Sequence, residues 1–308
     1  MKREKIVVIA GPTASGKTSV AVEAALALQG EVVNADSMQV YRGMDIGTAK
    51  PTPEERKGVP HHLLDVAAPD EEFNAARYRS LALPVISDVL RRGKVCLVVG
   101  GTGLYLRSLL GGLSGAPPGD MKLRAQLMDL EREVGSRVLH ERLRRLDPEA
   151  AGHIHPNDGV RIRRALEVCR LTGRRFSEIN REHGFSEGRF EALKFCLHVE
   201  REELYRRIDL RAERMVEDGL IEEVRGLLEQ GYSPTLKPMR SIGYRHMVAY
   251  LQGSCALDET LRLLKRDTRR YAKRQLTWFR SDPQVHWTNP AELDQLVEKI
   301  KAFALETA

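Results

Sequence analysis

The chain has 308 residues, of which 42% are hydrophobic and 30% charged, and this composition excludes a disordered tail or a minimal scaffold. Its length predicts one large domain with an embellishment, or two domains. No apolar run reaches the roughly 18 residues that a membrane-spanning helix needs, and the N-terminus lacks a signal-peptide cleavage pattern, so we expect a cytoplasmic protein. The four cysteines have neither disulfide-framework nor metal-knuckle spacing, which predicts small core residues.

The formal net charge is +6, and the excess is concentrated near the C-terminal end. Residues 262–280 contain eight basic residues, one acidic residue and three aromatic residues. Such a stretch suits phosphate contact combined with base stacking. It fits equally well a solvated amphipathic helix that packs Leu261, Leu264 and Trp278 inward, so both interpretations stay open at this point.

The first hundred residues alternate between apolar strands and helical patterns. Residues 6–10 form an apolar run that predicts a strand, and residues 17–28 follow with helical spacing. Two further apolar runs, 31–35 and 95–99, are separated by a predicted helix over 74–91. This order of elements is typical of a doubly wound parallel sheet.

The chain after residue 110 begins with a loop and is mostly helical. Residues 111–120 combine clustered Gly with Pro-Pro, which marks a boundary. Beyond it, residues 121–146 and 159–172 have helical spacing with many arginines, and residues 194–199 predict a strand that resumes the sheet. Later helices are predicted at 204–218, 220–229, 245–251 and 257–279.

A phosphate-binding motif, the P-loop, lies between the first predicted strand and helix, where residues 11–18 satisfy GxxxxGK[ST]. Its glycines let successive N–H groups surround phosphate oxygens at the positive end of the helix. Lys17 adds a charge, and the Thr18 hydroxyl is suited to Mg²⁺. The motif indicates a polyphosphate, without specifying a nucleotide such as ATP. The predicted phosphate-binding residues are Gly11, Pro12, Thr13, Ala14, Ser15, Gly16, Lys17 and Thr18.

These patterns together predict an α/β fold with a P-loop NTPase-like parallel sheet core. The core is expected to comprise residues 1–114 and 194–308, interrupted by a helical insertion domain at residues 115–193. Open α/β sheets bind ligands at the carboxyl ends of their strands, and the catalytic residues are expected at that edge.

Asp36 is the only acidic residue at the carboxyl end of an early predicted strand. The strand over 95–99 ends instead in Gly-Gly-Thr-Gly, without the carboxylate with which an NTPase usually orients its magnesium ion. This absence argues against a small-metabolite kinase. From the pattern alone, Asp36 is either a magnesium orienter or a general base, and the two roles stay open.

Five blocks of the sequence carry a more specific pattern: GPTASGKT at 11–18, NADSMQVYRGMDIGTAKPT at 34–52, VGGTGLYL at 99–106, HPNDGVRIRRALEV at 155–168 and MRSIGYRHM at 239–247. Together and in this order they resemble the tRNA dimethylallyltransferase family, and the resemblance extends from near residue 6 to residue 279. The block at 34–52 is far more specific than the P-loop. The sequence lacks the C-terminal zinc-finger extension of eukaryotic relatives, so we expect the bacterial form.

The resemblance implies transfer of a dimethylallyl group from dimethylallyl diphosphate to N6 of the adenosine that follows the anticodon, with Mg²⁺ as cofactor. It implies that Asp36 is the general base and that Thr102 helps to hold the adenine. Lys17 and Arg211, with Thr18, would stabilise the charge that develops on the diphosphate. Arg207 and Arg214 are neighbours of Arg211 on one predicted helix, which leaves the choice among the three arginines open.

The resemblance also implies a tRNA partner, bound through its anticodon stem-loop, with the target base extruded. It favours the RNA-binding interpretation of residues 262–280 and assigns the insertion domain to tRNA contact. A monomer is expected, with no membrane and no obligate protein partner. The implied tRNA-contact residues are Asp36, Ser37, Met38, Gln39, Thr102, Arg124, Val160, Arg161, Ile162, Arg163, Arg164, Arg240, Ser241, Ile242, Gly243, Tyr244 and Arg245.

Two other functions remain to be distinguished. An adenylate isopentenyltransferase would use the same donor with a free nucleotide, but the arginine-rich insertion favours a tRNA acceptor. A non-catalytic RNA-binding protein would give no reason for Lys17, Thr18, Asp36 and Thr102 to occur together. His153 and His155 lack a third ligand nearby in sequence and are interpreted as loop and cap residues.

Overall fold

A computed structural model describes residues 3–113, 115–184 and 188–305 of the chain. These residues form two compact units, one comprising Met1–Leu109 with Arg189–Ala308 and the other Leu110–Gly188. The larger unit contains a sheet covered by helices, and the smaller unit is helical. No helix within the described ranges is both long and apolar enough to cross a membrane.

The sheet has six strands among the described residues, and every neighbouring pair is parallel. The strands are β1 (Glu4–Ala10), β2 (Glu31–Asn34), β3 (His61–His62), β4 (Cys96–Gly100), β5 (Phe190–Leu197) and β6 (Val285–Thr288). Their order across the sheet is β3-β2-β4-β1-β5-β6. The strands β2 and β4 are buried along their whole length, as expected where helices cover both faces of a parallel sheet. The predicted α/β fold class is confirmed.

The helices occupy the connections between strands and most of the smaller unit. They are α1 (Lys17–Leu28), α2 (Pro53–Arg56), α3 (Ala75–Arg91), α4 (Gly103–Gly111), α5 (Met121–Val134), α6 (Ser136–Leu146), α7 (Pro148–His153), α8 (Gly159–Thr172), α9 (Phe176–His183), α10 (Arg201–Glu217), α11 (Leu220–Glu229), α12 (Tyr244–Leu251), α13 (Leu257–Arg280) and α14 (Leu293–Leu305). A short 3-10 helix, Pro290–Glu292, precedes α14. The helices predicted over 17–28, 159–172 and 220–229 have the predicted bounds.

Two predicted elements differ most from the structure, and most of the others differ by one to three residues at an end. The helical pattern over 121–146 is two helices, because Gly135 adopts φ 82°, a left-handed conformation that ends α5 and precedes α6. The strand predicted at 194–199 spans Phe190–Leu197. Its first four residues pair with β1 but have no partner in β6. A polar residue, Glu191, is therefore tolerated in this part of the strand, and it interrupts the apolar pattern from which the start of the strand was predicted.

The main core packs small α1 residues and the C-terminal helix against the sheet. Ala24 and Ala25 of α1 are buried with Ile9 of β1, and Val297 and Ile300 of α14 belong to the same cluster. The sequence analysis predicted neither β6 nor α14. In the smaller unit a separate core is formed by Leu127, Leu139, Leu143, Ile162, Leu166 and their neighbours.

Candidate active site

A cleft of about 1250 Å³ lies at the carboxyl edge of the sheet and is lined entirely by residues of the larger unit. The P-loop follows β1, the turn at Asp36 follows β2, and Gly100 ends β4. All three contribute to the lining, together with loop 45–52 and residues of α10 and α13. The parallel topology brings the ends of separate strands to one place, as the sequence predicted for ligand binding.

The P-loop has the backbone form of an anion-binding turn. Ala14 and Gly16 have positive φ values of 62° and 88°, and Gly16 caps the N-terminus of α1. Alternation of right- and left-handed residues points successive N–H groups into one concavity, where the helix dipole also favours an anion. Lys17 Nζ donates hydrogen bonds to the carbonyl oxygens of Gly11, at 3.1 Å, and Pro12, at 2.7 Å.

The charge on Lys17 is opposed by its surroundings. Burial lowers the pKa of Lys17 to about 8; the charge of Asp36 opposes this shift and that of Arg211 adds to it. A diphosphate at the P-loop would supply negative charge and favour the protonated lysine. The pKa of Lys17 therefore links diphosphate binding to pH.

Arg211 is the one of three neighbouring arginines that contacts the P-loop. Its Nη1 donates a hydrogen bond of 3.3 Å to Thr13 Oγ1, and burial lowers the pKa of the guanidinium. Arg207 pairs with Glu203 at 2.7 Å, and Arg214 is exposed. All three line the cleft, but of the three only Arg211 forms a hydrogen bond with a residue of the P-loop.

The structure brings the Asp36 turn and Thr102 together. Asp36 Oδ1 accepts hydrogen bonds from the N–H groups of Met38, at 2.8 Å, and Gln39, at 3.4 Å. Thr102 Oγ1 accepts a 3.0 Å hydrogen bond from Ser37 N, and Thr102 N donates to Ala35 O at 3.3 Å. The half-buried Asp36 carboxylate is therefore held by its own turn, next to the Gly-Gly-Thr-Gly loop.

Gln275 joins the phosphate side of the cleft to the loop that carries Thr102. Its Oε1 accepts a 2.9 Å hydrogen bond from Thr13 N, and its Nε2 donates a 3.0 Å bond to Gly101 O. A Cβ at Gly101 would overlap the Gln275 amide, so a larger residue there would displace this amide. The sequence analysis missed Gln275, although its spacing from Ala272 and Phe279 places a polar residue on the buried face of α13.

We expect Gln275→Leu to destabilise the protein by about 2 kcal/mol or more, because it leaves Thr13 N–H and Gly101 C=O without partners in a buried place. Urea unfolding of purified variants measures the change. Gln230→Leu is the matched control, since Gln230 is exposed at the end of α11 and is expected to change stability by about 0.5 kcal/mol at most. Equal stability of the two variants would contradict a bridging role for Gln275.

Tyr271 is a further residue of the cleft that the motifs did not identify. Burial and the charge of Asp36 raise its pKa, and the Thr102 side chain opposes this shift. The guanidinium of Arg274 lies 5.7 Å from the centre of the Tyr271 ring. An aromatic ring and a cation therefore lie on the Thr102 side of the cleft, a combination suited to a nucleobase or a phosphate.

The basic stretch 262–280 is less free than its composition suggests. Acidic side chains from α10 and from α13 itself pair with Arg262, Lys265, Arg266, Arg269 and Arg270. Within the described ranges, no ion pair involves Lys273, Arg274 or Arg280. Leu264 and Phe279 are buried, so the amphipathic-helix interpretation holds for one face of α13. The unpaired cations leave a smaller basic surface than predicted.

The residues predicted to contact tRNA in the larger unit fall into two groups. Ser37, Met38, Gln39, Ser241, Ile242 and Arg245 line the cleft, and Arg240 is exposed. Arg245 also pairs with Asp267 at 2.7 Å. The side chain of Tyr244 is fully buried, with its hydroxyl 2.5 Å from Glu223 Oε1. Gly243 is buried as well.

The predicted contacts in the smaller unit also divide by burial. Val160 is 70% exposed and Arg161 lies on the surface, whereas the Ile162 side chain is fully buried in the core of this unit. The helical period turns position 162 inward, toward this core. Arg163 pairs with Glu131, and Arg124 and Arg164 both pair with the buried carboxylate of Glu167.

The donor set of the cleft fits a magnesium ion that takes most of its ligands from the substrate. In the part of the chain that the structure describes, no group of three His, Cys, Asp or Glu side chains could hold a metal ion. Mg²⁺ in phosphate sites commonly has only one or two protein ligands beside phosphate oxygens and water. Thr18, which lines the cleft at the start of α1, is the residue suited to this role.

The fold and the cleft are those of the P-loop class of α/β proteins. Residues 39–282 match the family described as IPP transferase, and the chain belongs to this family. The chain is 56% identical over 288 residues to tRNA dimethylallyltransferase 2 of Geotalea uraniireducens, covering 94% of this chain and 93% of that protein. It is 54% identical over 295 residues to tRNA dimethylallyltransferase of Geobacter sulfurreducens, with 96% and 95% covered.

Solved structures of similar proteins agree with this assignment. The full-length tRNA isopentenylpyrophosphate transferase of Bacillus halodurans is 41% identical, with a TM-score of 0.74 over 99% of this chain and 98% of that one. A eukaryotic dimethylallyltransferase acting on tRNA is 31% identical, with a TM-score of 0.80 over 98% of this chain and 78% of that one. The family resemblance found in the sequence is confirmed.

Proposed function

We propose that this protein is a prenyltransferase that moves a dimethylallyl group from dimethylallyl diphosphate to N6 of the adenosine 3′-adjacent to the anticodon in tRNA, releasing diphosphate. The observation that carries the proposal is one cleft that combines a P-loop and Arg211 with the Asp36 turn, to which Thr102 is hydrogen-bonded through Ser37 N. The similar proteins are named for a tRNA substrate and a dimethylallyl or isopentenyl group. Their high identity over nearly the whole chain supports the same reaction here.

The chemistry follows from the two sides of the cleft. The donor diphosphate would lie on the P-loop amides with Lys17 and Arg211, which stabilise the negative charge that develops as the C–O bond breaks. The adenine N6 attacks the allylic carbon, and the N6 proton passes to the Asp36 carboxylate. Because an exocyclic amine is a weak nucleophile, much of the rate must come from alignment, which supplies up to about 7–11 kcal/mol. The Gln275 bridge keeps the two sides in register.

A bound Mg²⁺ would supply further positive charge to the leaving diphosphate. Thr18 is the residue that would hold this ion beside the diphosphate. The Asp36 carboxylate then remains available to accept the N6 proton. The proposal thus assigns separate roles to the P-loop and to the turn after β2.

The proposed tRNA contacts use residues of both units. A base stacked in an anticodon loop must be extruded, at a cost of a few kcal/mol that contacts to the loop offset. We assign this role to Ser37, Met38 and Gln39 in the cleft and to the exposed residues of the insertion, including Val160 and Arg161. We further propose a cytoplasmic monomer that needs no protein partner, since a tRNA covers a wide surface by itself.

The test is incubation of the purified protein with Mg²⁺, radiolabelled dimethylallyl diphosphate and unmodified tRNA whose anticodon is followed by adenosine. Label in the tRNA, located at that adenosine after nuclease digestion, is the expected result. The same tRNA with guanosine at that position is the matched control and is expected to stay unlabelled. Labelled free AMP would assign the adenylate prenyltransferase reaction instead, and ATP turnover without use of the donor would assign a kinase.

A further inference from the structure

Loop 44–50 has no regular secondary structure, and its residues 45–50 belong to the segment that lines the cleft, so its backbone groups need other partners. Three successive N–H groups in it point at one carboxylate. Glu223 Oε2 accepts hydrogen bonds from Asp45 N at 2.8 Å and Ile46 N at 2.7 Å, and Oε1 accepts from Gly47 N at 3.1 Å. Consecutive amides of this kind form an anion-binding concavity, and here a side chain of the protein fills it.

Tyr244 completes the arrangement from a third segment of the chain. Its hydroxyl donates a hydrogen bond of 2.5 Å to Glu223 Oε1, and its ring is fully buried. A Cβ at Gly47 would lie 2.5 Å from Tyr244 Cε2, so the loop approaches the ring closely only because residue 47 is glycine. Glu223 thus joins loop 44–50 to the start of α11 and the start of α12.

The other end of the loop holds a residue next to the proposed base. Gln39 Nε2 donates hydrogen bonds to Ala49 O at 2.9 Å and Thr48 O at 3.3 Å. The backbone N–H of Gln39 contacts Asp36 Oδ1, in the turn that carries this carboxylate. A continuous series of contacts therefore leads from Glu223 through the loop to Gln39 and the Asp36 turn.

We infer that Glu223 is a positioning residue for the acceptor side of the reaction, which holds loop 44–50 and, through Gln39, the turn that presents Asp36. The inference rests on the proposed transfer reaction, and it separates two halves of the cleft. The P-loop, Lys17 and Arg211 have no contact with Glu223 among the hydrogen bonds of the described residues, so donor binding is expected to be independent of this carboxylate.

Glu223→Gln tests the inference, because the amide keeps the shape but its NH₂ group replaces one carboxylate oxygen, each of which accepts two hydrogen bonds. We expect kcat for transfer to tRNA to fall by about 10- to 100-fold, as misplacement of a reacting group does. The KM for dimethylallyl diphosphate is expected to stay within about twofold of the wild-type value, because the substitution leaves the donor-binding residues unchanged. Glu222→Gln is the matched control: Glu222 is the adjacent, exposed carboxylate, and its ion pair with Arg225 is 3.5 Å long.

Amide hydrogen exchange provides a readout that does not depend on activity. In Glu223→Gln the peptide containing residues 45–47 is expected to exchange about tenfold faster or more, while the P-loop peptide is unchanged. Tyr244→Phe removes one hydrogen bond from the same carboxylate and preserves the packing of the ring. We therefore expect a smaller fall in kcat and faster exchange at 45–47, with the KM for dimethylallyl diphosphate and exchange in the P-loop unchanged.

The outcomes separate the two proposals. Wild-type protein without transfer to tRNA would overturn the proposed function, and faster exchange at 45–47 would still establish the contact of Glu223 with the loop. Wild-type transfer with an unchanged kcat in Glu223→Gln would overturn the positioning role. A parallel loss of kcat, donor affinity and thermal stability in both Glu223→Gln and Tyr244→Phe would also overturn it, because it would indicate a structural role only.

Discussion

Asp36→Asn is expected to lower kcat for tRNA prenylation by about 10²- to 10⁴-fold, the range for loss of a general base. The amide Oδ1 retains an acceptor for Met38 N, which Asp36 now bonds at 2.8 Å, so the turn after β2 is expected to keep its form. What is lost is the negative charge that accepts the N6 proton. Single-turnover transfer from labelled donor, with saturating tRNA, measures this step separately from product release.

Binding and folding serve as controls for this variant. Equilibrium binding of tRNA and of inorganic diphosphate is expected to change by less than about threefold, because the P-loop and the other tRNA-contact residues remain. Asp70→Asn is the matched control, since Asp70 is exposed and is not among the residues that line the cleft. If Asp36→Asn retained more than about a tenth of the rate, positioning would account for the effect and another group would have to take the proton.

The part of the fold predicted from the sequence is the part encoded by local pattern. The P-loop lies between a strand and a helix that are both evident from apolar runs and turn glycines, and α1 begins and ends where predicted. The strand β6 and the helix α14 were missed. β6 is a short edge strand with only one buried residue, so it lacks the apolar run that identified β1 and β4.

The P-loop, the Asp36 turn and Thr102, which meet in space, were all carried by family blocks, whereas Arg211 lies outside those blocks and contacts Thr13 of the P-loop. A sequence block does not show which of its residues lie on the buried face of a helix. Ile162 and Tyr244 were therefore predicted to contact tRNA, although their side chains are buried. Glu223 and Gln275 could not be predicted, because each acts through hydrogen bonds across more than 170 residues of chain. A polar residue on a buried helix face was the one available signal, and it does not name the partner.

Lys17→Met is expected to lower kcat/KM for dimethylallyl diphosphate by about 10²- to 10³-fold, because it removes a charge directed at the leaving group. The protein itself is not expected to lose stability. Burial lowers the pKa of Lys17 from 10.5 to about 8, which shows that the charged form is disfavoured in the folded state. Methionine fills a similar volume without that cost. Donor kinetics and thermal melting of the same samples measure the two effects, and a fall in both would assign Lys17 to folding.

The same pKa predicts how activity and stability respond to pH. In the free protein Lys17 loses its proton as pH rises through about 8, so kcat/KM for the donor is expected to fall above this pH. Between about 8 and 10.5 the unfolded chain binds more protons at this group than the folded protein does. The contribution of Lys17 to stability therefore rises with pH over this range, while activity falls. Lys17→Arg keeps its charge and is expected to lose the descending limb, and a limb that persists in this variant would belong to another group.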